Sequence, residues 1–364
     1  MKIIHCADLH IDSKLRTNFS KEQAKIRREE LLRTYERMIS FAVEKQVDAI
    51  ILAGDLFDKS NVGKRARTRV MEQIVLNPQI DFLYLRGNHD GVDILEGIET
   101  KPDNLKMFGE KDWISYQYGD VVISGIEINK DNYKSIYGKL ILDKSQLNIV
   151  VLHGQTSDYG SDVADNINLS LLKNHYIDYL ALGHIHQYKK GKLDDRGMWC
   201  YSGCLEGRGF DECGEKGFVL LDIENGKITD EFIPFATRNF HEIKVDISGI
   251  DGMFMTNDIL ERMREESEHI PQKDLVKFIL TGNVDLEDEV DFTRIKMEFE
   301  EKFYFTKVYD CTLAKPDYSV YAGDKSLKGE FVRLLQEEDI EEKTKNKILE
   351  IGLKALRGEE IEWL

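Results

Sequence analysis

Residues 180–187 read LALGHIHQ, an apolar run that ends in a glycine and is followed by two histidines separated by one residue. The apolar run is typical of a buried β-strand. Side chains at positions i and i+2 of an extended chain point to the same face, so His184 and His186 would project together from the end of this strand. Two interpretations are open at this point. The imidazoles lie in solvent at a half-buried strand tip, or both bind one metal centre.

Other apolar runs along the chain end in a similar way. Five runs, taken in order, finish in a carboxylate, a carboxamide or an imidazole: Asp8 and His10, Asp55, Asn88, His153, and His184 with His186. One such ending would be ordinary, but five in order are hard to explain by packing. Open α/β folds build their sites where the carboxyl ends of the strands meet. The repeated pattern therefore favours the metal interpretation of the two histidines.

The seven candidate ligands also form a coherent donor set. Four imidazoles, two carboxylates and one amide oxygen are too many for one tetrahedral ion. They suit two divalent ions about 3.5 to 4 Å apart that share one carboxylate. Nitrogen and oxygen ligands without a thiolate fit manganese, iron or zinc and do not choose among them. Two such ions would leave the pocket cationic, which favours phosphate groups and acidifies a bound water.

The five motifs resemble those of the calcineurin-like metallophosphoesterase superfamily. They are DLH at 8–10, GD at 54–55, GNHD at 87–90, HG at 153–154 and GHIH at 183–186. The resemblance implies an α/β fold with a four-layer sandwich, in which two mixed sheets are flanked by helices. It also implies hydrolysis of a phosphoester by in-line attack of an activated water on phosphorus.

By the arrangement of that superfamily, each ion would have four ligands. The first ion would be held by Asp8, His10, Asp55 and His186, and the second by Asp55, Asn88, His153 and His184. The resemblance assigns His89 to the scissile phosphate, where it helps the leaving oxygen depart. We expect Asp90 to orient the His89 imidazole, as a carboxylate often does. Asp58 is either a helper of His89 or a bound water, or a simple exposed turn residue.

A narrower resemblance concerns the substrate. The segment WCYSGCLEGRGFDECGEKGFVLLDI is similar to the one that follows the last metal motif in SbcD-type nuclease subunits of DNA repair complexes. This resemblance implies an exonuclease or endonuclease subunit that uses manganese and processes DNA ends together with an SbcC-type coiled-coil ATPase. It is also compatible with a homodimer. Gly203-Cys204-Leu205 departs from the Ser-Pro stretch frequent there. A YhaO-like branch of the family fits equally well.

The order of strand and helix patterns predicts three parts. These are a phosphoesterase (nuclease) domain over 1–237, a smaller α/β capping domain over 238–322 and a helical tail over 323–364. A capping box at Ser20 and Gln23 predicts a long helix with an apolar face made of Ile26, Leu31, Tyr35, Met38, Ile39 and Ala42. Asn225-Gly226 predicts a hairpin turn. The apolar stripes of the tail serve either packing on the chain's own body or docking of a partner.

Charge and cysteine content restrict the function further. The formal net charge of −17 argues against nucleic-acid binding by bulk attraction alone. The best local cluster for DNA contacts is formed by Lys59, Lys64 and Arg65, with Arg67 and Arg69 behind them, although a solvated helix face explains it as well. Five cysteines without a paired motif, an N-terminus unlike a signal peptide and no membrane span predict a cytoplasmic protein.

Two rival functions remain. A stand-alone phosphodiesterase for a small phosphoester would use the same ligands but would leave the second domain and the tail without a role. A non-catalytic scaffold would lack the histidine that here is His89. Among the other residues, we expect His5 to be a strand residue and not a ligand, and we expect Tyr201, Glu206 and Arg208 to line the site.

Overall fold

The computed structural model describes most of the chain. The described residues are 1–15, 19–58, 62–91, 94–95, 99–158, 163, 165–252, 254–285, 290–315 and 324–357. Lys59, one of the predicted DNA contacts, lies outside them. The chain divides into two compact units, Met1–Asn239 and Phe240–Leu364.

Unit 1 contains fourteen strands and three α-helices among its described residues. The strands are β1 (Lys2–Cys6), β2 (Ala49–Ala53), β3 (Asp81–Leu85), β4 (Leu105–Met107), β5 (Ile114–Tyr118), β6 (Val121–Gly125), β7 (Leu147–His153), β8 (Gln155–Ser157), β9 (Asn166–Asn168), β10 (Tyr179–Gly183), β11 (Lys189–Lys192), β12 (Met198–Tyr201), β13 (Gly217–Glu224) and β14 (Lys227–Pro234). The helices are α1 (Lys21–Glu44), α2 (Lys64–Leu76) and α3 (Ile136–Lys139).

Two six-stranded mixed sheets form the body of unit 1. The first has the order β14-β13-β1-β2-β3-β4, in which β1 to β4 are parallel and β13 and β14 are antiparallel. The second has the order β11-β12-β10-β7-β6-β5, in which the four central strands are parallel and both edge strands are antiparallel. The prediction of two mixed sheets is confirmed.

The alternation of side chains along the strands separates an inner layer from an outer layer. On β1, Ile3 and Ala7 at its end face the second sheet, whereas Ile4 and Cys6 face the helices. The central strands are buried along their full length, as every residue of β2, β7 and β10 shows. Strands covered on both faces read as continuous apolar runs. This is why the sequence displays such runs and not an alternating pattern.

Helices α1 and α2 cover the outer face of the first sheet. The predicted capping box begins α1, because Ser20 accepts from the Gln23 amide while the Gln23 side chain accepts from the Ser20 amide. The predicted apolar face is confirmed except for Ile26, which is 46% exposed. Arg27 is fully buried in its place, since it lies four residues before Leu31 on the helix face.

The outer face of the second sheet has a shorter helical cover than the outer face of the first sheet. Within the described residues, its cover consists of the four-residue helix α3, a 3₁₀ turn at Leu169–Leu171 and the loops between them. Ile136 of α3 and Leu172 after the turn are fully buried in this layer.

The hairpin between β13 and β14 follows the prediction from Asn225-Gly226. Glu224 pairs with Lys227 across a two-residue loop. Asn225 has φ of 51° and Gly226 has φ of 73°, the two positive values that a type I′ turn requires. The turn sets the register between β13 and β14, and β13 in turn pairs with β1.

Unit 2 has its own sheet and core. Its strands are β15 (Phe240–Asp246), β16 (Leu275–Thr281), β17 (Asn283–Asp285), β18 (Phe305–Asp310) and β19 (Leu313–Lys315), and its helices are α4 (Met255–Glu266), α5 (Phe292–Lys302), α6 (Leu327–Glu337) and α7 (Glu342–Arg357). The strands β15, β16 and β18 form a parallel sheet, as do the short strands β17 and β19. Fully buried Ile259 of α4, Phe278 of β16 and Phe299 of α5 belong to one apolar core.

The two helices of the tail pack on each other through four buried side chains: Val332, Leu335, Leu349 and Leu353. The prediction of two amphipathic helices is confirmed. Both tail helices belong to unit 2, together with the strands from Phe240 onward. A capping domain separate from a tail domain therefore stays a prediction. In the described part of the chain, no helix is both long and apolar enough to cross a bilayer.

His5 illustrates how the space between the sheets of unit 1 is filled. Its ring is fully buried, and Nδ1 lies 3.0 Å from the Tyr179 hydroxyl of the opposite sheet. Burial lowers the pKa of His5 to about 3 from its ordinary value of 6.5. The residue is thus a neutral strand residue, as the sequence predicts, and it stays neutral over most of the acidic range.

Replacement of His5 should change the pH dependence of stability. Between pH 6.5 and about 3 the unfolded chain takes up a proton at this histidine and the folded chain does not. The free energy of unfolding should therefore fall with decreasing pH by about 1.4 kcal/mol per pH unit from this group alone. Urea denaturation of the wild-type protein and of His5→Gln between pH 4.5 and 6.5 measures the difference. Parallel pH profiles would contradict the assignment.

Candidate metal centre

The predicted ligands lie at one edge of each sheet of unit 1. Strands β1, β2 and β3 are parallel neighbours in the first sheet, and β7 and β10 are parallel neighbours in the second. Parallel neighbours end at the same edge, so the residues that follow them come together. The structure brings together all seven: Asp8, His10, Asp55, Asn88, His153, His184 and His186.

The backbone at four of these residues is in an unusual conformation. The φ angles are 54° at Asp8, 44° at His10, 53° at Asp55 and 102° at His184. A non-glycine residue with positive φ costs on the order of 1 to 3 kcal/mol and clusters at functional sites. Four such residues at the ends of three different strands indicate loops that are held in place to aim their side chains.

The glycines of the motifs are needed because the ligands pack against them. A Cβ atom on Gly54 would overlap the His153 ring, and the residue has φ of 93°. A Cβ atom on Gly183 would overlap the main-chain oxygen of Ala53, in the facing sheet. Close approach of two backbones is a recognised use of glycine. Here it brings the edges of the two sheets close enough to share ligands.

Asp8 links the two sheets at this edge. Its carboxylate oxygens accept hydrogen bonds from the amide of His184, at 2.9 and 3.0 Å. Its own amide donates to the main-chain oxygen of Gly54 at 3.0 Å, and the amide of His10 donates to that of Asp55 at 2.9 Å. These bonds hold the loops after β1, β2 and β10 in one arrangement.

Asp55 lies between two groups of donors. Its Oδ2 is 3.7 Å from His10 Nε2 and 3.4 Å from His153 Nε2. On one side, His10 Nε2 is 3.2 Å from His186 Nε2, and on the other, His153 Nε2 is 3.0 Å from Asn88 Oδ1. The two groups of donors thus meet at one carboxylate oxygen, as expected for a ligand shared by two ions.

The donor set fits divalent cations. His10 Nε2 and His186 Nε2 lie 3.2 Å apart, so one of them carries the hydrogen between them unless a cation replaces it. Asp8, His10 and His186 offer donor atoms within 4.8 Å of one another, and so do Asp8, Asp55 and His153. The His184 ring lies 5.4 Å from that of His153, centroid to centroid. Imidazole and carboxylate donors without thiolate suit manganese, iron or zinc.

The electrostatics of the site favour the charged form of Asp55. Burial alone would raise its pKa, but the hydrogen bond and charge of His153 hold the pKa below the ordinary value. Burial lowers the pKa of His10 to about 2, and the positive charge of Arg208 contributes. Asp55 is thus an anion and His10 is a neutral ligand at neutral pH, which is what coordination requires.

His89 lies beside this cluster and contacts Asp58. Its Nδ1 is 3.4 Å from Asp58 Oδ1, and its ring meets that of His10 edge to face at 5.1 Å between centroids. The amide of His89 donates to Asp55 Oδ1 at 2.8 Å. The Asp58 side chain is only 17% exposed, so the interpretation of Asp58 as an exposed turn residue is wrong. Asp58 is one of the groups that orient the His89 ring.

Asp90 has a different partner from the one expected. Its carboxylate accepts from three backbone amides, those of Leu56 at 3.2 Å, Phe57 at 2.8 Å and Gly87 at 3.0 Å. It is 8% exposed, and burial raises its pKa to about 6 despite these bonds. Asp90 therefore fixes the loops after β2 and β3, and Asp58 makes the contact with His89 that the sequence suggested for Asp90.

The sequence did not identify Glu212 as part of the site. Glu212 Oε1 lies 2.7 Å from His186 Nδ1, and the carboxylate also accepts from Arg208. Burial alone would raise the pKa of Glu212, but the hydrogen bond with His186 and the charge of Arg208 lower it to about 2. No motif marks an acid 26 residues after its histidine partner, so only proximity in space reveals it.

The three residues expected to line the site have different positions. Arg208 is beside His186, as predicted. The Tyr201 hydroxyl donates to the Gly154 oxygen at 2.8 Å and accepts from the Thr156 amide at 2.8 Å, so it supports the loop after His153. The prediction for Glu206 is wrong, because this buried acid bonds Arg27 and Thr34 of α1. It neutralises the buried guanidinium that replaces Ile26 on the helix face.

The predicted DNA-contacting cluster is only partly available. Lys64 begins α2, and the preceding amide of Gly63 donates to Asp12, two residues after His10. Arg65 is 77% exposed and lies 3.5 Å from Glu29. Arg69 is occupied, since Glu29 and Glu36 bind it at 2.6 and 2.7 Å. Both interpretations of the cluster, DNA contact and solvated helix face, remain.

The fold and the metal site define a metallophosphoesterase. The calcineurin-like phosphoesterase family model matches residues 1–188, which covers the strands that carry all seven predicted ligands. The chain belongs to this family.

Two known relatives match this chain over more residues than the family model does. The metallophosphoesterase YhaO of Bacillus subtilis strain 168 is 27% identical over 304 residues, which cover 78% of this chain and 72% of YhaO. The DNA double-strand break repair protein Mre11 of Methanosarcina acetivorans is 26% identical over 301 residues, 78% of this chain but 46% of that protein, so the chain spans less than half of its length. A dimetal phosphatase from Danio rerio covers 65% of this chain and 99% of its own, with a TM-score of 0.44 and 11% identity.

The shared position of Asp55 gives a test of the metal centre. Asp55→Asn removes the negative charge between the two donor groups, so the bound metal should fall from two Mn²⁺ per chain to one or none, with the loss of affinity at least about tenfold. Equilibrium dialysis followed by elemental analysis measures it. Asp103→Asn, at an exposed position of unit 1, is the matched control and should keep both ions. Full loading of Asp55→Asn would contradict the shared ligand.

Proposed function

We propose that this chain is a dinuclear-metal phosphodiesterase that cleaves DNA at ends, as the nuclease subunit of a repair complex with an SbcC-type ATPase. The observation that carries the phosphoesterase part is the arrangement of donors on both sides of Asp55 Oδ2. The preference for DNA is supported by the match to Mre11. That match covers 301 residues, more than the whole of unit 1, so it continues into unit 2.

Each cation would have four ligands from this chain. Asp8, His10, Asp55 and His186 hold one ion, and Asp55, Asn88, His153 and His184 hold the other. When bound, two such ions neutralise the charge of a phosphate group and lower the pKa of water. The distances around Asp55 support this division, because His10 and His186 lie on one side of it and His153 and Asn88 on the other.

His89 is the residue that acts on the leaving group. Its side chain is 36% exposed, so it can reach a substrate above the metal centre, while Asp58 fixes the ring through Nδ1. The ring nitrogen away from Asp58 donates a proton to the oxygen that leaves the phosphorus. Asp90 keeps the loop that carries His89 in position through the three backbone amides it accepts from.

DNA contacts by this chain alone are expected to be few. Lys59, Lys64 and Arg65 are the proposed phosphate contacts, and three cations correspond to a slope of roughly −3 for the logarithm of affinity against the logarithm of salt concentration. With a net charge of −17, the rest of the chain repels DNA. A partner that supplies most of the phosphate contacts accounts for how an acidic subunit acts on DNA.

A direct comparison of two substrates tests the function. With Mn²⁺, the wild-type protein should degrade linear duplex DNA as well as bis-p-nitrophenyl phosphate. His89→Gln should lower the rate of DNA cleavage about 10² to 10⁴-fold with both ions still bound, because it removes a general acid and no ligand. It should lower the rate on bis-p-nitrophenyl phosphate much less, because p-nitrophenolate leaves without a proton. His269→Gln, at an exposed position of unit 2, is the control and should keep full activity. Hydrolysis of the small ester alone would establish the stand-alone phosphodiesterase instead.

Helices α6 and α7 are the proposed docking site for the ATPase. After the two helices pack on each other, five of their described apolar side chains stay 37% to 73% exposed: Leu327, Leu334, Ile348, Ile351 and Leu356. Exposed apolar residues on a helix pair match the helix-in-groove and coiled-coil modes of recognition. A coiled coil offers the complementary apolar seam.

Charged residues in this surface should prevent assembly. The double variant Leu334→Asp with Ile351→Asp should lose co-purification with the SbcC-type ATPase of the same organism, because it places carboxylates in an apolar interface. Its Mn²⁺ content should not change, since the metal centre is in unit 1. Lys347→Ala on an exposed position of α7 is the control. Assembly of the double variant at wild-type affinity would exclude this surface.

A further inference from the structure

Both ring nitrogens of His186 have close partners. Its Nδ1 lies 2.7 Å from Glu212 Oε1, and its Nε2 lies 3.2 Å from His10 Nε2. A carboxylate has acceptors only, so the Nδ1 hydrogen is donated to Glu212. A neutral imidazole carries one proton, and the lone pair is therefore on Nε2, directed at the donors of the metal centre. Glu212 thus determines both the tautomer and the direction of the ring.

Glu212 itself is fixed. Its Oε2 accepts from the amide of Arg208 at 2.8 Å, and its Oε1 accepts from Arg208 Nη2 at 2.9 Å. Glu212 is 6% exposed and the Arg208 side chain is 18% exposed. With both oxygens bound and little solvent around it, the carboxylate cannot turn away from His186 without leaving buried donors unpaired.

The same segment also fixes the main chain of His186. The carbonyl oxygen of His186 accepts from Lys216 Nζ at 3.0 Å, and the amide of Cys204 donates to it at 3.3 Å. Lys216 is only 3% exposed. The loop from Cys204 to Lys216 therefore holds His186 at its main-chain oxygen and at its ring.

His153, a ligand of the other proposed ion, has a different support. Its Nδ1 lies 2.9 Å from the main-chain oxygen of Ala53, which is a neutral acceptor. A carboxylate behind a ligating imidazole makes it more basic than a carbonyl does, and second partners of this kind change metal affinity about 10 to 100-fold. Removal of Glu212 should therefore act on one ion and spare the other.

We propose that Glu212 is a positioning residue that sets the affinity of the cation site formed by Asp8, His10, Asp55 and His186. The inference rests on the division of ligands between two ions in the proposed function. Arg208 holds Glu212 through two hydrogen bonds, and its Nη2 also lies 3.3 Å from His186 Nδ1. The second site, formed by Asp55, Asn88, His153 and His184, depends on the Ala53 carbonyl and not on Glu212.

Mn²⁺ binding to the full chain tests this by calorimetry together with elemental analysis, without any measurement of activity. Wild-type protein should bind two ions. Glu212→Gln should weaken one site about 10 to 100-fold and leave the other within about threefold, Glu212→Ala should weaken the same site more, and Glu212→Asp should recover part of the affinity. Asp211→Asn, the exposed neighbour, is the control and should bind as the wild type does.

Equal weakening of both sites, or no change in Glu212→Gln, would overturn the proposal. Thermal unfolding in the absence of metal identifies a folding defect. If a Glu212 variant unfolds at a lower temperature than the wild type, Arg208→Lys takes its place in the comparison, and it should give a smaller loss of Mn²⁺ affinity at the same site. Wild-type protein that binds no second ion would overturn the metal centre as well. Two bound ions with no cleavage of DNA would overturn the nuclease function and leave the role of Glu212 intact.

Discussion

A buried carboxylate shared by two sheets is the constraint on which unit 1 depends. Asp55 comes from the first sheet, and its Oδ2 faces His10 of the same sheet and His153 of the other. An ionised carboxylate that is 1% exposed is stable only when positive or hydrogen-donating groups surround it. These groups come from both sheets, so the sheets must converge at this edge. The glycines at 54 and 183 allow this convergence because any side chain there would separate the two layers.

The loops at this edge are held by hydrogen bonds to carboxylates that do not belong to the donor set. Asp90 accepts from three backbone amides, and Glu212 with Arg208 surrounds His186. Hydrogen bonds to a charged group contribute about 1.5 to 3 kcal/mol each, enough to offset the cost of the positive φ angles at Asp55 and His184, which lie in the loops that these bonds hold. The loops are consequently preorganised, and the donors have little freedom to relax away from a bound ion.

Local patterns predicted local structure well. The capping box, the Asn225-Gly226 turn and the apolar strands depend on neighbours in sequence, and each was found as expected. Where a prediction failed, the residue's environment came from a distant part of the chain. Ile26 lies outside the apolar face because buried Arg27 pairs with Glu206, which is 179 residues away. Asp90 was expected at the His89 ring because it is adjacent in sequence, yet its carboxylate points to the backbone of the loop after β2.

The amino-acid sequence by itself determined which side chains end each parallel strand, because strand ends follow from the limits of the apolar runs and the ligands follow the strands directly. It also determined the family, through five short motifs in order. Only the tertiary structure decided which groups orient those ligands. Asp58 reaches His89 because their loops follow neighbouring strands of the first sheet, and Glu212 reaches His186 through loops that approach each other only after the two sheets pack. The physical reason is that a hydrogen bond requires two groups to be close in space. Residues far apart along the chain can meet this requirement once the two sheets have packed, and the sequence alone does not show which ones do.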